Sequence, residues 1–258
     1  MHAAALRALG LPHSYEALRV TASELPASVQ SLRDGVFAGL NVTVPHKTQV
    51  LALADLVHDS ARRVGAANTL VRAASGHVVA YNTDAPALER ELADLVAAPS
   101  WAEAQATVLG SGGAARAAVA ALDALGVRSI VVRARSARPA FDVRPGVPLW
   151  QPWAPDRATE ASTRVVIQAT SAGMAGADPG EAAADVVAWS ALPQDASALD
   201  VVYAPDATPF LDAARRRGLR AAGGLGMLAR QGALALELWL GCVAPLDVMR
   251  AAIAAPRT

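Results

Sequence analysis

The chain has 258 residues, of which 53% are hydrophobic and 18% are charged, so it is long enough to bury a substantial core. Its 23 Lys and Arg residues balance 23 Asp and Glu residues, and this net charge of +0 argues against nucleic acid or an anionic membrane surface as the main partner. The single cysteine, Cys242, excludes an internal disulfide and fits a reducing, cytoplasmic setting.

The first part of the chain mixes short helices and strands, with glycines at the predicted helix ends. The predicted elements, in chain order, are a helix over 2–9, a strand over 14–20, a helix over 22–35, a strand over 39–44, a helix over 45–56, strands over 68–73 and 77–82, and a helix over 84–95. A stretch around Pro99–Trp101 marks a predicted boundary.

After this boundary, strands and helices alternate, which predicts a doubly wound parallel sheet. The predicted strands cover 106–110, 129–134, 164–170 and 198–204, and the predicted helices cover 113–125 and 208–218. The remaining segment, 224–258, is helical, and Arg230 and Glu237 interrupt its apolar run, so it predicts a buried helix rather than a membrane span. We therefore predict an α/β protein with one domain formed by 1–85 plus 224–258 and a second formed by 86–223.

A glycine-rich loop joins the first strand and first helix of the second domain. Gly110, Gly112 and Ala115 form the pattern G-x-G-x-x-A. The first glycine permits a tight turn, the second lets the backbone approach a pyrophosphate, and the small third residue allows close packing of helix on strand. Because a strand, a helix and a second strand surround the loop in the right order, the sequence predicts dinucleotide binding there.

The second strand of that domain ends in arginines instead of an acidic residue. Arg133, Arg135 and Arg138 lie there with Ser136, and no Asp or Glu occurs before Asp142. An acid in this position suits a free ribose 2′-hydroxyl, whereas arginines suit a 2′-phosphate, so the sequence favours NADP. A solvated basic strand end remains the alternative interpretation.

Polar side chains in the first domain stand where predicted strands end. Lys47 follows one strand, Asn68 begins another, and Asn82, Thr83 and Asp84 end a third. Taken singly, these residues suit turns, a helix cap and a surface charge. If the strands are neighbours, Lys47 and Asp84 can meet, and a lysine paired with a carboxylate can accept and donate the proton of a hydroxyl. Hydride transfer from an alcohol to a nicotinamide requires such a partner.

A set of motifs, in register along nearly the whole chain, resembles the shikimate dehydrogenase family. The motifs are NVTVPHK, GAANTL, YNTD, LGSGGAARA, ATSAGM, DVVYAPDATPFL and GLGMLARQGALALELW. The resemblance implies a catalytic α/β domain, a Rossmann dinucleotide-binding domain, and NADP-dependent interconversion of shikimate and 3-dehydroshikimate, a reaction of aromatic amino-acid biosynthesis.

The same resemblance implies roles for individual residues. Lys47 would be the catalytic lysine and Asp84 its partner. The implied substrate-binding residues are Thr43, Asn68, Tyr203 and Gln231. The implied cofactor-binding residues are Gly110, Ser111, Gly112, Gly113 and Ala114 at the pyrophosphate, Arg135 and Ser136 at the adenosine side, and Thr170, Ser171, Gly173 and Met174 at the nicotinamide side. Arg133 and Gly224 are also assigned to cofactor binding.

The chain also departs from the family pattern. Ala134-Arg135-Ser136 replaces the usual Asn-Arg-Thr, and Gln168 stands where asparagine is usual. The family's first strand and its Ser-x-Ser loop, which binds the substrate carboxylate, are not found before the first helix. We therefore expect this 258-residue form to bind shikimate weakly, and leave open that the natural chain begins upstream of Met1.

The sequence leaves other functions open. One alternative is a dehydrogenase of quinate or a related cyclic acid, and another is a nucleotide-binding relative that has lost catalysis. The pairing of Lys47 with Asp84 favours an enzyme, whereas the missing loop favours the impaired relative. The expected partner is a small-molecule substrate, without nucleic acid, membrane or metal, and a homodimer is left open.

Overall fold

A computed structural model of the chain describes residues 1–96, 100–135, 141–205 and 207–254. Its α-helices are α1 (His2–Ala8), α2 (Leu25–Arg33), α3 (Asp59–Val64), α4 (Asp84–Leu95), α5 (Gly113–Ala124), α6 (Arg157–Ser162), α7 (Glu181–Asp185), α8 (Pro209–Arg216), α9 (Leu225–Leu240) and α10 (Leu246–Ala254). Its strands are β1 (Gly39–Asn41), β2 (Leu56–Val57), β3 (Thr69–Arg72), β4 (Val78–Tyr81), β5 (Gln105–Leu109), β6 (Ser129–Arg133), β7 (Leu149–Gln151), β8 (Thr163–Gln168), β9 (Ser197–Asp200) and β10 (Arg220–Ala222). Short 3₁₀ helices cover Gln49–Leu53, Trp101–Glu103 and Trp189–Ala191.

The chain divides into two compact units. The first unit is formed by Met1–Ala87 and Gly226–Thr258, and the second by Leu88–Leu225. The sheet of the first unit has the strand order β1-β3-β4-β2, in which β3 runs antiparallel to both β1 and β4. Leu70 of β3 stands opposite Ala80 of β4, and both are fully buried against apolar residues of α2.

The C-terminal helices α9 and α10 complete the first unit by packing against α1. Their shared apolar cluster includes Leu6, Leu236 and Met249. The indole N–H of Trp239 on α9 donates to the carbonyl oxygen of Leu70 over 3.0 Å, which ties α9 to the sheet. A Cβ on Gly39 would come within 2.1 Å of Nε1 of Trp239, so only glycine leaves room for the indole. No helix among the described residues combines the length and hydropathy that a bilayer crossing requires.

The second unit contains the parallel sheet that the sequence predicts. Its strand order is β10-β9-β8-β5-β6-β7, and every neighbouring pair runs parallel. The carboxyl ends of all these strands therefore meet at one edge of the sheet, where ligand sites of such folds lie. The central strand β5 and its neighbour β8 contribute Leu109 and Val166 to a fully buried core.

Two elements predicted in the first unit are absent from it. Residues 14–20 alternate like a strand, but 11–21 form no regular secondary structure and are mostly exposed. Among the described residues, no strand pairs with this segment through backbone hydrogen bonds. Its contact with β1 is a side-chain hydrogen bond of 2.9 Å, which Oη of Tyr15 donates to Oδ1 of Asn41. Alternation alone therefore did not suffice, because a strand also needs a partner for its peptide groups.

The predicted helix over 45–56 is also wrong, and the predicted strand over 39–44 stops at Asn41. Residues 44–48 form turns before the 3₁₀ helix Gln49–Leu53 begins. The carbonyl oxygen of Lys47 accepts a hydrogen bond from the N–H of Ala67 over 2.7 Å, in place of the helical bond from a residue four positions later. Lys47 is thus held in a turn that the rest of the unit fixes.

Candidate active site

Lys47 and Asp84 form an ion pair in the first unit. Lys47 lies in the turn that follows β1, and Asp84 is the first residue of α4, directly after β4. Nζ of Lys47 donates to Oδ2 of Asp84 over 2.6 Å, and the two side chains are 16% and 4% exposed. Lys47 is therefore the more accessible partner of the pair, while the side chain of Asp84 is almost entirely enclosed.

Asn68 fixes the carboxylate of Asp84 from its other side. Nδ2 of Asn68 donates to Oδ1 of Asp84 and to Oγ1 of Thr83, each over 2.9 Å. Oδ1 of Asn68 accepts the backbone N–H of Thr83 over 2.7 Å, which anchors the amide group in one orientation. Both oxygens of Asp84 thus have a donor, and the carboxylate cannot rotate away from Lys47 without losing a bond.

Gln231 brings α9 into the same cluster. Its Oε1 lies 3.3 Å from Nδ2 of Asn68, and its Nε2 donates to the carbonyl oxygen of Leu228 over 2.9 Å. Lys47, Asp84, Asn68 and Gln231, which the sequence assigned to one site, are therefore joined by hydrogen bonds within the first unit. Thr43 lies exposed in the loop between β1 and Lys47.

Asn82 has a structural task beside this cluster. Its Nδ2 donates to the carbonyl oxygen of Ala66 over 2.9 Å, and its Oδ1 accepts the N–H of Ala85 over 3.0 Å. The second bond satisfies one of the free N–H groups at the start of α4. Asn82 therefore holds the helix that carries Asp84, and both polar atoms of its amide are hydrogen-bonded within the unit.

The glycine loop lies at the carboxyl end of β5 in the second unit. Gly110 has a φ of +118°, and a Cβ there would come within 2.9 Å of the carbonyl oxygen of Ala169. Around a Cβ built on Gly112 there is no atom within 4 Å, so the space over this residue is open. Ala115 is fully buried, as expected for the small third residue of the motif.

The first backbone N–H groups of α5 follow directly after Gly112, over which the space is open. Ser111, Gly113 and Ala114 are partly exposed, and Gly112 is the N-cap residue of the helix. Unpaired N–H groups and the positive end of the helix dipole attract anions, and phosphate is the anion that such loops hold. The open cradle over Gly112 therefore fits a dinucleotide pyrophosphate.

Arg133 does not serve the cofactor role that the sequence suggested. Its side chain is fully buried at the end of β6 and ion-paired with the equally buried Glu160 of α6. The guanidinium also donates to Oε1 of Gln151, at 3.2 Å, and to the carbonyl oxygen of Val186, at 3.0 Å. These partners occupy its donors inside the protein, so the prediction that Arg133 contacts a phosphate is wrong.

Arg135, two residues later, is half-exposed and has different partners. Its Nη1 donates to Oδ2 of Asp178 over 3.0 Å, and its Cζ lies 5.7 Å from the centre of the Trp153 ring. Arg135 is thus the exposed cation at the end of β6 in the part of the chain that the structure describes. Ser136 and Arg138, also predicted at this position, lie outside the described residues.

The loop after β8 carries the residues predicted on the nicotinamide side. Gln168 is fully buried and braces this loop, because its Oε1 accepts the N–H of Thr170 and its Nε2 donates to the carbonyl oxygen of Ala172 over 2.9 Å. Gln168 therefore uses both polar atoms of its amide to hold the loop. Oγ1 of Thr170 accepts the N–H of Ala172, and Met174 is exposed.

Tyr203 and Gly224 line a small cavity of about 120 Å³ in the second unit. Tyr203 is exposed in the segment after β9. A Cβ on Gly224 would lie 2.3 Å from the carbonyl oxygen of Val201, so glycine is required there by close backbone packing. Close backbone packing thus explains why glycine occupies position 224, without any contact to a ligand.

Asp200 is a buried acid that the sequence analysis did not single out. Its Oδ2 accepts the hydroxyl of Thr208 over 2.6 Å, and its Oδ1 accepts the N–H of Val202 over 2.9 Å. Burial raises the pKa of Asp200 to about 6, although both hydrogen bonds oppose that change. The available signal was an acid inside the predicted strand 198–204, which in the structure ends at Asp200. No local sequence signal pointed to Asp178, because it contacts Arg135 from a different loop.

Models of known families match both ends of the chain. The shikimate dehydrogenase substrate-binding domain matches residues 1–70, and the shikimate 5′-dehydrogenase C-terminal domain matches residues 224–254. The shikimate dehydrogenase (NADP(+)) of Methylobacterium radiotolerans is 44% identical over 237 residues, which cover 90% of this chain and 82% of that protein.

Solved structures are similar over nearly the whole chain. Shikimate 5-dehydrogenase of Thermus thermophilus, in complex with NADP(H) and shikimate, is 34% identical with a TM-score of 0.83, covering 98% of this chain and 91% of that one. Quinate dehydrogenase of Corynebacterium glutamicum, in complex with NAD, is 30% identical with a TM-score of 0.83, covering 97% and 91%. The α/β fold expected from the sequence is confirmed, and the chain belongs to the shikimate dehydrogenase family.

Proposed function

We propose that the chain catalyses the NADP-dependent interconversion of shikimate and 3-dehydroshikimate by hydride transfer, a step of aromatic amino-acid biosynthesis. The observation that carries this proposal is the ion pair of Lys47 with Asp84 at 2.6 Å, in a chain whose relatives are named shikimate dehydrogenase (NADP(+)). The pair supplies an accessible proton-transfer group beside hydrogen-bonding side chains suited to a polyhydroxylated acid.

Lys47 moves the proton in this reaction. Reduction of the ketone adds a hydride to carbon and a proton to oxygen, and the ammonium of Lys47 donates that proton and becomes a neutral amine. In the reverse direction the neutral amine accepts the proton of the hydroxyl as the carbon loses a hydride. The nicotinamide of NADP, when bound, accepts the hydride or supplies it. Asp84 keeps Nζ in place and balances its charge, and Asn68 holds Asp84 in the orientation that this requires.

Four residues bind the substrate in this proposal: Thr43, Asn68, Tyr203 and Gln231. Asn68 and Gln231 are supported by their position, since both amides lie in the hydrogen-bonded cluster around Asp84. An amide offers both a donor and an acceptor, which suits a hydroxyl group. Thr43 is exposed on the loop that leads to Lys47, where its hydroxyl can meet a substrate oxygen.

Residues of the second unit hold NADP. The pyrophosphate would bind over Gly110, Ser111, Gly112, Gly113 and Ala114, in the open space at the start of α5. Arg135 would contact the 2′-phosphate, and Thr170, Met174 and Gly224 would border the nicotinamide. Apart from Tyr203 and Gly224, we accordingly assign substrate binding to residues 1–85 plus 224–258 and NADP binding to 86–223.

Quinate is the second candidate substrate, because the chain is also 30% identical to a quinate dehydrogenase. Quinate carries the same kind of ring, hydroxyl groups and carboxylate, so the proton transfer at Lys47 would be unchanged. The two functions differ in the substrate that gives the higher kcat/KM and in the cofactor, since that quinate dehydrogenase binds NAD.

The decisive experiment measures the absorbance of reduced nicotinamide with purified protein. Shikimate and quinate are each tested with NADP and with NAD, and the proposal predicts the highest kcat/KM for shikimate with NADP. A higher kcat/KM for quinate assigns the chain to the second function. Absence of turnover with all four combinations, in protein that binds NADP, would identify an impaired relative.

We further propose that the enzyme works in the cytoplasm. The exposed Cys242 has no second cysteine in the chain with which to pair, and a reducing compartment keeps such a thiol free. The homodimer that the sequence left open is tested by the mass of the protein in solution, measured by light scattering.

A further inference from the structure

An ion pair connects two loops on either side of the glycine loop. Arg135 follows β6, and Asp178 belongs to the loop that follows β8. In the sheet, β5 lies between β8 and β6 and leads directly into Gly110. Two strand spacings, together roughly 10 Å, separate β6 from β8. The bond between Arg135 and Asp178 therefore reaches across the strand end from which the glycine loop begins.

Asp178 is fixed by its own loop. Its Oδ1 accepts the N–H of Gly180 over 3.0 Å, and its carbonyl oxygen accepts the N–H of Gly173 over 2.7 Å. Both glycines have positive φ, at +88° for Gly173 and +108° for Gly180, which closes the loop tightly. The carboxylate therefore keeps its position whether or not Arg135 is bound to Oδ2.

Arg135 is the group for which Asp178 and a cofactor phosphate would compete. The indole of Trp153, after β7, lies 5.7 Å from Cζ of Arg135 and supports the guanidinium through its ring face. Arg133 cannot substitute for Arg135, because Glu160 and Gln151 occupy its donors inside the protein. Units of this kind use an acid near this position for the 2′-hydroxyl of NAD and an arginine for the 2′-phosphate of NADP.

We propose that Asp178 is a specificity-determining residue that competes with the 2′-phosphate of NADP for Arg135 and so lowers the preference for NADP over NAD. The proposal rests on the proposed function, in which NADP binds over the glycine loop. Binding of a 2′-phosphate must break the ion pair or bring two negative groups together, whereas a 2′-hydroxyl does neither and can donate to the carboxylate. The side chains of Arg135 and Asp178 are 50% and 35% exposed, so water screens the effect to a few-fold.

The test measures dissociation constants of NADP⁺ and NAD⁺ without substrate, by calorimetric titration at low ionic strength. Asp178→Asn removes the charge but keeps an oxygen for the N–H of Gly180. It should bind NADP⁺ about three- to fivefold more tightly and change NAD⁺ binding by less than about twofold. Added salt should reduce the gain for NADP⁺, because it screens the charges.

Asp195→Asn is the matched control. Asp195 pairs with Arg164 over 2.6 Å, is exposed, and lies at the amino ends of β8 and β9, opposite to the glycine loop. Asp195→Asn changes the net charge by the same amount as Asp178→Asn and should leave the dissociation constants of NADP⁺ and NAD⁺ unchanged. Arg135→Gln should weaken NADP⁺ and remove the gain from Asp178→Asn when the two substitutions are combined.

Weaker NADP⁺ binding by Asp178→Asn would overturn the proposal, because Asp178 would then orient Arg135 for the phosphate. An unchanged dissociation constant would overturn it as well. If the wild-type protein binds neither dinucleotide, the proposed function itself fails, which is a different result from a normal wild type with an unresponsive variant.

Discussion

Nζ of Lys47 lies 2.6 Å from Oδ2 of Asp84, although the two residues are 37 positions apart in the chain. The pair is assembled by the backbone: the turn after β1 presents Lys47, and the start of α4 presents Asp84. Asn68 holds the carboxylate of Asp84, and Asn82 holds the start of α4. These hydrogen bonds hold the ammonium of Lys47 in one position.

Replacement of Lys47 by alanine should lower kcat by about 10²–10⁴-fold, the range typical of a lost general acid–base group. The dissociation constant of NADP⁺ should stay close to that of the wild type, because the glycine loop belongs to the second unit. Lys47→Arg should fail to restore turnover, since a guanidinium is not readily deprotonated. Steady-state kinetics and calorimetric titration test both statements, and a Lys47→Ala enzyme with most of its turnover would refute the proposed proton transfer.

Substitution of Gly112 by alanine should separate cofactor binding from stability. The φ of −81° is accessible to alanine, and no atom lies within 4 Å of the added Cβ, so the midpoint of thermal unfolding should change little. The Cβ would, however, enter the space proposed for the pyrophosphate and weaken NADP⁺ binding. Gly110→Ala provides the contrast. Its φ of +118° and the carbonyl oxygen of Ala169, 2.9 Å from the new Cβ, should destabilise the protein itself. Unaltered NADP⁺ binding by Gly112→Ala would place the pyrophosphate elsewhere.

Glu160→Gln should destabilise the second unit by about 3–5 kcal/mol, because it leaves the charge of Arg133 buried without a counter-charge. Both side chains of the pair are fully buried, so solvent cannot compensate. The double variant Arg133→Met/Glu160→Leu removes both charges and should recover most of the loss. Urea unfolding measures the free energies. The double variant should also bind NADP⁺ normally; a large loss of affinity would return Arg133 to the cofactor site.

Asp200 should make stability depend on pH in a defined window. Its pKa rises from 3.8 in the unfolded chain to about 6 in the folded protein, so the folded state holds the proton more tightly. The stabilisation from this proton is complete below pH 3.8 and is lost as the pH rises through about 6. The loss is on the order of 3 kcal/mol, taking about 1.4 kcal/mol per pKa unit.

Asp200→Asn removes this titration and keeps an oxygen for the N–H of Val202. The difference in unfolding free energy between the variant and the wild type should therefore move in favour of the variant as the pH rises from about 4 to about 7. Urea unfolding at several pH values in this range measures that difference. A difference that stays constant with pH would show that Asp200 titrates alike in the folded and unfolded states.

The elements that could be predicted from the sequence are those with strong local signals. The four predicted strands of the parallel sheet, β5, β6, β8 and β9, are short apolar runs, and α5 and α8 begin at recognisable caps. The strands β7 and β10 contain no such run and were not predicted. The contact of Lys47 with Asp84 was predicted on the assumption that the strands before them are neighbours. The contact is present, but β3 lies between β1 and β4 in the sheet. The prediction could name these residues because each stands directly after a predicted strand.

Other features depended on contacts that no local pattern encodes. Arg133 looked like a phosphate ligand because its partner, Glu160, lies 27 positions later in a short helix that the pattern did not predict. Asp178 approaches Arg135 from 43 positions away, across an intervening strand. Residues 14–20 alternate correctly, but pairing of a strand is decided by the neighbouring backbone and not by the segment itself.

The first unit is assembled from two separated stretches of the chain, and this has a consequence for synthesis on the ribosome. The second unit is continuous in sequence, so all of its strands have been made before α9 emerges. Until then, the apolar side of α1 lacks its contact with Leu236, and the carbonyl oxygen of Leu70 lacks its hydrogen bond from Trp239. Gln231 joins Asn68 only after a further 163 residues have been added, so the nascent chain can complete the second unit before the first unit is complete.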